Sequence, residues 1–234
     1  MSADAAVTPP HKANLDTRAA ILATLRAGLA AAPLTVPEAP ARPASAPIGP
    51  DAWELLAEVL APLEVRLRLA RTPAEAARHI AEIARERNAA TYTRWDEALD
   101  ALNLPGGFDS ALAGLERLAP GPCTGLAHAD LGFVLAHAAF LESGSLAIVA
   151  APGRHRAASL LPPTSVVLVP RKALAPDVSY LPALLEAHRL PSGELPACLN
   201  LITGPSSTAD IELVLVRGVH GPGALEVIGL DWDE

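Results

Sequence analysis

Five consecutive residues, Gly204-Pro205-Ser206-Ser207-Thr208, follow the apolar run Leu199 to Thr203 and set three hydroxyls on a glycine–proline turn. Read as a strand, a turn and then a helix from Thr208 to Arg217, the segment has the parts of an anion site. N–H groups in a helix's first turn lack intrahelical partners, the helix dipole is positive there, and serine or threonine adds donors without bulk. The same residues also serve as a plain helix cap after a tight turn. Asp210 and Glu212 follow in that first turn, and no lysine stands where a nucleotide-hydrolysing loop needs one.

A second segment, Glu142-Ser143-Gly144-Ser145, places one carboxylate between two apolar runs. Glu142 could act as base, nucleophile or anchor for a ligand hydroxyl, with Gly144 admitting close backbone approach and Ser145 adding a donor. The alternative is a hairpin-turn carboxylate paired with a surface arginine. Arg156, in the basic loop Gly153 to Pro162, has the planar fork that grips carboxylate or phosphate, although such loops are commonly just solvated. Arg217 and His220 flank Gly218, a natural helix stop; they either meet an anion or only complement the helix dipole and a backbone carbonyl. His11, His79, His128, His137 and His188 show no HxxxH or HExxH spacing, and no metal site is expected.

These segments need elements to hold them. Leu15, Ala19, Leu22, Leu25 and Leu29 recur at helical spacing, predicting an amphipathic helix over Leu15 to Ala31 capped at Asn14 or Asp16. Six prolines between Ala32 and Pro50 then read as an extended linker. From Asp51 helix and strand alternate: helix to Ala61, strand Glu64 to Leu69, and a helix from Thr72-Pro73 to Asn88. Strands are expected at Thr91 to Arg94, Gly132 to Ala136, Leu146 to Ala150, Val166 to Val169, Leu199 to Thr203 and Leu225 to Leu230. Of the helices between them, Val178 to His188 and Thr208 to Arg217 are the clearest. This rhythm implies an α/β fold whose mostly parallel sheet is covered on both faces. The domains expected are an arm, 1–50, and a globular domain, 51–234.

With 234 residues, half of them hydrophobic, the chain can bury one good core. Its net charge of -8 argues against nucleic acid or an anionic membrane surface as main partner, since both require a basic face. Cys123 and Cys198 are the only cysteines and cannot supply the four thiolates of an ordinary iron–sulphur cluster, so no cofactor is expected in this chain. The first residues lack a secretory pattern, and the longest apolar stretch, Leu131 to Ala151, is broken by His137 and Glu142. A soluble, cytoplasmic protein is expected.

In order along the chain, Glu142 to Ser145, Arg156 to Pro162, Ile202 to Glu212 and Val216 to Asp231 form a set that resembles the lactate utilization protein C family, built on the LUD domain. Two positions depart from the family pattern: Glu142-Ser143-Gly144-Ser145 stands where ETGT is usual, and Gly223 where an arginine commonly follows HGP. The resemblance implies a three-layer αβα fold with a mixed, mostly parallel sheet, similar to the sugar-phosphate isomerase and coenzyme A transferase superfamily. It further implies an accessory subunit in oxidation of L-lactate to pyruvate, with iron–sulphur clusters held by iron–sulphur and cysteine-rich partner subunits. The pocket would take a small anionic ligand. Two other readings stay open: a stand-alone enzyme on a coenzyme A ester or sugar phosphate, with Glu142 reacting and Gly204 to Thr208 cradling phosphate, and a pure scaffold.

Overall fold

The structure, a computed structural model, describes residues 12–31, 48–119, 126–209 and 215–232. By its internal contacts the chain divides into two units, Met1–Pro43 and Ala44–Glu234. Within the first, helix α1 spans Lys12–Ala31. Asn14 and Asp16 lie inside this helix rather than capping it, because the helical run already includes Lys12. Most of the expected proline linker, residues 32–47, lies outside the described residues.

The second unit opens with α2 (Ala52–Leu60), which buries Ala52, Trp53, Leu56 and Leu60 on one face. A 3-10 turn over Ala61–Leu63 ends at Glu64, whose φ of 57° turns the chain into β1 (Arg66–Ala70). Helix α3 (Pro73–Glu86) starts at a well-made cap: Thr72 Oγ1 accepts the Glu75 N–H at 3.2 Å, and the Glu75 carboxylate accepts the Arg71 N–H at 2.7 Å. Its buried residues Ala76, Ile80, Ile83 and Ala84 keep helical spacing.

Six strands make one parallel sheet in the order β1-β12-β7-β4-β2-β3, where β2 is Thr91–Arg94, β3 Glu116–Arg117, β4 Leu131–Leu135, β7 Thr164–Pro170 and β12 Ala224–Leu230. All seven residues of β7 are buried, as expected for a central strand covered on both faces. Helices α2 and α3 pack on β1, and the short helix Ala157–Leu160 packs on β4 and β7. The architecture is a three-layer α/β fold. Gly132 in β4 permits the closest of these approaches, since a Cβ there would collide with the Ala158 carbonyl oxygen.

A smaller sheet runs β8-β5-β6-β9: β5 (Ala138–Phe140) and β6 (Leu146–Val149) form an antiparallel hairpin, β8 (Leu174–Ala175) is parallel to β5, and β9 (Leu199–Ile202) is antiparallel to β6. Its alternating residues serve two cores. Ala139, Leu146 and Ile148 join the main core, whereas Ala138, Phe140, Ala147 and Val149 pack with Ala175 and Leu184.

One expected element is corrected. Instead of a helix over Thr208 to Arg217, β10 (Ser207–Ala209) pairs antiparallel with β11 (Leu215–Arg217), Ser207 opposite Arg217. β-Branched residues such as Thr208 and Val216 favour a pleated ribbon, and this preference outweighs the helical spacing. Gly218, at φ 75°, donates its N–H to the Ser206 carbonyl at 2.9 Å and closes the ribbon's base rather than a helix end.

Candidate functional site

The β5–β6 turn and the end of β9 meet beside the amino ends of β7 and β12. Ser145 Oγ lies 2.7 Å from Thr203 Oγ1, and Ser143 Oγ donates to Ser145 Oγ at 2.9 Å. Ser145 is buried; Gly144, at φ 67°, presses on α2, where a Cβ would stand 3.1 Å from Leu60 Cδ2. The conformation and the contact both favour glycine there.

Two clefts share Thr203 and Gly204. The first, about 160 Å³, is lined also by Ile202, Ser206, Ser165 and Leu225; the buried Ser165 Oγ has no hydrogen-bond partner among the described residues. The second, about 280 Å³, is lined by Leu63, Glu64, Pro205, Ser207 and Arg217. Its charges are already matched: the Arg217 guanidinium grips both Glu64 oxygens at 2.7 and 2.5 Å, which holds the Glu64 carboxyl below its ordinary range.

The structure therefore brings Gly144, Ser145, Gly204, Pro205, Ser206, Ser207 and Arg217 together. It does not give them a helix N-terminus. The Ser206 N–H is spent on the Pro222 carbonyl at 2.8 Å, and Ser207 belongs to the ribbon. Thr208 is in β10, Asp210 lies outside the described residues, and His220 is exposed beyond the ribbon. Glu142 sits exposed in the hairpin turn, its N–H bonded to the Pro176 carbonyl at 3.0 Å; no carboxylate partner is found among the described residues. Arg156 is exposed and lines a different cleft.

Residue-pattern reasoning missed a cluster at the carboxyl ends of β2 and β4. His137 follows β4; its Nδ1 lies 3.2 Å from the Val149 N–H donor and its Nε2 3.0 Å from Arg154 Nη1. A neutral imidazole has only one lone pair for two such donors, so one contact must forgo its bond. The His137 ring is met edge-on by His188 at 4.7 Å and by Trp95 at 5.9 Å between ring centroids. Burial first, then the charges of His188 and Arg154, push the His137 pKa down to about 3. Burial also lowers His188 and His155, the latter opposed by Asp96.

Trp95 Nε1 donates to the His155 carbonyl at 3.0 Å, and neither ring nitrogen of the His155 side chain has a partner among the described residues. Alongside runs a cleft of about 610 Å³, lined by His155, Arg156, Ala150, Leu160, Leu161 and Cys198 among others. The available cue was His137 itself, a polar residue interrupting an apolar run. Among the described residues no group of three or more His, Cys, Asp or Glu side chains is arranged to hold a metal ion.

The pattern of the LUD domain family matches residues 54–229, most of the chain and all but the edges of the second unit. This chain belongs to the LUD domain family. Lactate utilization protein C of Halalkalibacterium halodurans is 39% identical over 94 residues, 40% of this chain and 41% of that protein. Lactate utilization protein C of Bacillus subtilis is 35% identical over 94 residues, 40% of this chain and 39% of that protein; an uncharacterized protein, YkgG, of Escherichia coli is 42% identical over the same length, 41% of it. The matched stretch thus spans about two-fifths of each of these relatives. The crystal structure of a DUF162 family protein from Deinococcus radiodurans superposes with a TM-score of 0.55 at 20% identity, covering 77% of this chain and 96% of that one. The LUD domain fold is shared between them.

Proposed function

We propose that this LUD domain chain serves L-lactate utilization in the cytoplasm, as an accessory subunit similar to lactate utilization protein C. Its partners would be iron–sulphur and cysteine-rich subunits that take the electrons as L-lactate becomes pyruvate. The observation that carries the reading is 39% identity over 94 residues to a protein of that name. The chain's two cysteines are consistent with electron carriers residing elsewhere. In this reading the Ser145–Thr203 hydroxyls and the Gly204–Ser207 turn are a docking place for a small anion or a partner loop, and an incoming anion competes with Glu64 for the Arg217 fork.

A stand-alone enzyme on a coenzyme A ester or sugar phosphate draws less support. Its phosphate cradle required a helix starting at Thr208, and β10 and β11 occupy that place. The test is growth of a strain lacking this gene with L-lactate as sole carbon source, beside the same strain with the gene restored. Loss of growth rescued by restoration is expected; normal growth overturns the reading.

A further inference from the structure

The domain's arginines are mostly neutralised: Arg68, Arg94, Arg117, Arg171 and Arg217 each pair with a carboxylate. Arg154 and Arg156 do not, among the described residues, although the chain has acidic residues in surplus. Both flank His155, a residue that lines the 610 Å³ cleft and whose two ring nitrogens are closed to solvent and unpartnered among the described residues. A buried, unpaired imidazole nitrogen is costly, and native structures leave few. The nearest opposing acid, Asp96, is engaged by Arg117 and by Arg94.

We propose that this cleft binds a small organic monocarboxylate bearing a hydroxyl or keto group next to the carboxylate. The Arg156 fork takes the carboxylate in two-pronged fashion, and the neighbouring Arg154 adds to the local positive field. A small rotation of the His155 ring presents one nitrogen to the cleft. A neutral imidazole offers either a donor or an acceptor, so it meets a keto or a hydroxyl oxygen equally well. Ala150, Ala157, Leu160 and Leu161 form an apolar wall suited to a short aliphatic remainder. That wall disfavours phosphate, a more highly charged and fully polar anion. The cleft meets the smaller one at Thr203 and Gly204 only at Leu160, so the two are separate sites.

The choice of L-lactate and pyruvate as first probes rests on the lactate reading; the chemistry of the cleft does not. The full-length protein is titrated by calorimetry with L-lactate, pyruvate, acetate and inorganic phosphate. Saturable binding in the millimolar range or tighter is expected for L-lactate or pyruvate, stronger than for acetate, with phosphate weakest. Arg156→Ala, at an exposed position, should weaken binding about tenfold with the melting temperature unchanged. His155→Phe should remove the preference over acetate. Absence of saturable binding, equal binding by the Arg156→Ala protein, or phosphate outcompeting the organic acids each overturns the proposal. The growth experiment fails independently: binding with normal growth of the deletion strain keeps the site and discards the pathway, and lost growth without binding does the reverse.

Discussion

Ser145 and Thr203, fifty-eight positions apart in the chain, join their hydroxyls at 2.7 Å and so tie the β5–β6 turn to the end of β9. The bond sits where Ser145 is buried, so removing Thr203 leaves the Ser145 hydroxyl with Ser143 alone, and removing Ser145 takes away the bond that fixes Thr203. In a double-mutant cycle, Ser145→Ala and Thr203→Val should each destabilise the protein by about 1 kcal/mol, with a coupling of roughly 0.5–1.5 kcal/mol. Urea unfolding of the four proteins measures it, and additive losses would contradict the bond.

Glu226 in β12 is buried between two guanidinium groups, Arg68 Nη1 at 2.9 Å and Arg87 Nη2 at 2.5 Å, with Glu86 completing the chain to Arg68 at 2.7 Å. Glu226→Ala leaves Arg68, itself only 8% exposed, without its buried partner. A loss of about 3–5 kcal/mol is expected, far above that of an exposed pair. A urea midpoint close to the parent's would show the network to be expendable.

His137 predicts a pH dependence. Its folded pKa of about 3 lies below the ordinary 6.5, so the unfolded chain takes up a proton that the folded chain refuses. The associated stability is complete above pH 6.5 and falls away as pH drops toward 3, by up to a few kcal/mol. His137→Gln should flatten the decline of melting temperature between about pH 6.5 and 4.5, above the range where carboxylates such as Asp109 and Asp130 titrate. Nitrogen NMR of the ring should report a neutral His137 at pH 5; a midpoint near the ordinary value refutes the assignment.

Glu142 is exposed and its carboxylate unengaged among the described residues, so Glu142→Ala should change stability by less than about 0.5 kcal/mol. If the turn is a functional site, the same substitution abolishes lactate-supported growth. Growth at the parental rate removes Glu142 from the site.

The βα rhythm was legible because its signals are local. Thr72-Pro73 names a helix start, and the buried runs at Val166 to Val169 and Leu225 to Leu230 can be little but central strands. What failed was also physical: hydroxyl-rich residues after a turn serve a helix cap and a twisted ribbon alike, and only pairing partners decide between Thr208 in one or the other. Strands as short as Ala138–Phe140 and Leu174–Ala175 carry too few residues for periodicity to register. Ser145 and Gly144 were found from their types, whereas the His137, His155 and His188 grouping arises from three distant segments and has no spacing to read.

The margins of the six-stranded sheet bear on how this protein avoids its own copies. Parallel sheets assemble from distant segments, leaving apolar strands such as Thr164–Pro170 uncovered while the chain is still searching. At one margin β3 is only two residues long and its Arg117 is clasped by Asp109 and Asp96. At the other, β1 bears Arg66 and Arg68, both tied to Glu86. A stray strand reaching either rim finds a two-residue stub or the exposed Arg66–Glu86 pair instead of a bare apolar ladder, which is a barrier to amyloid-like stacking built from ordinary surface charge.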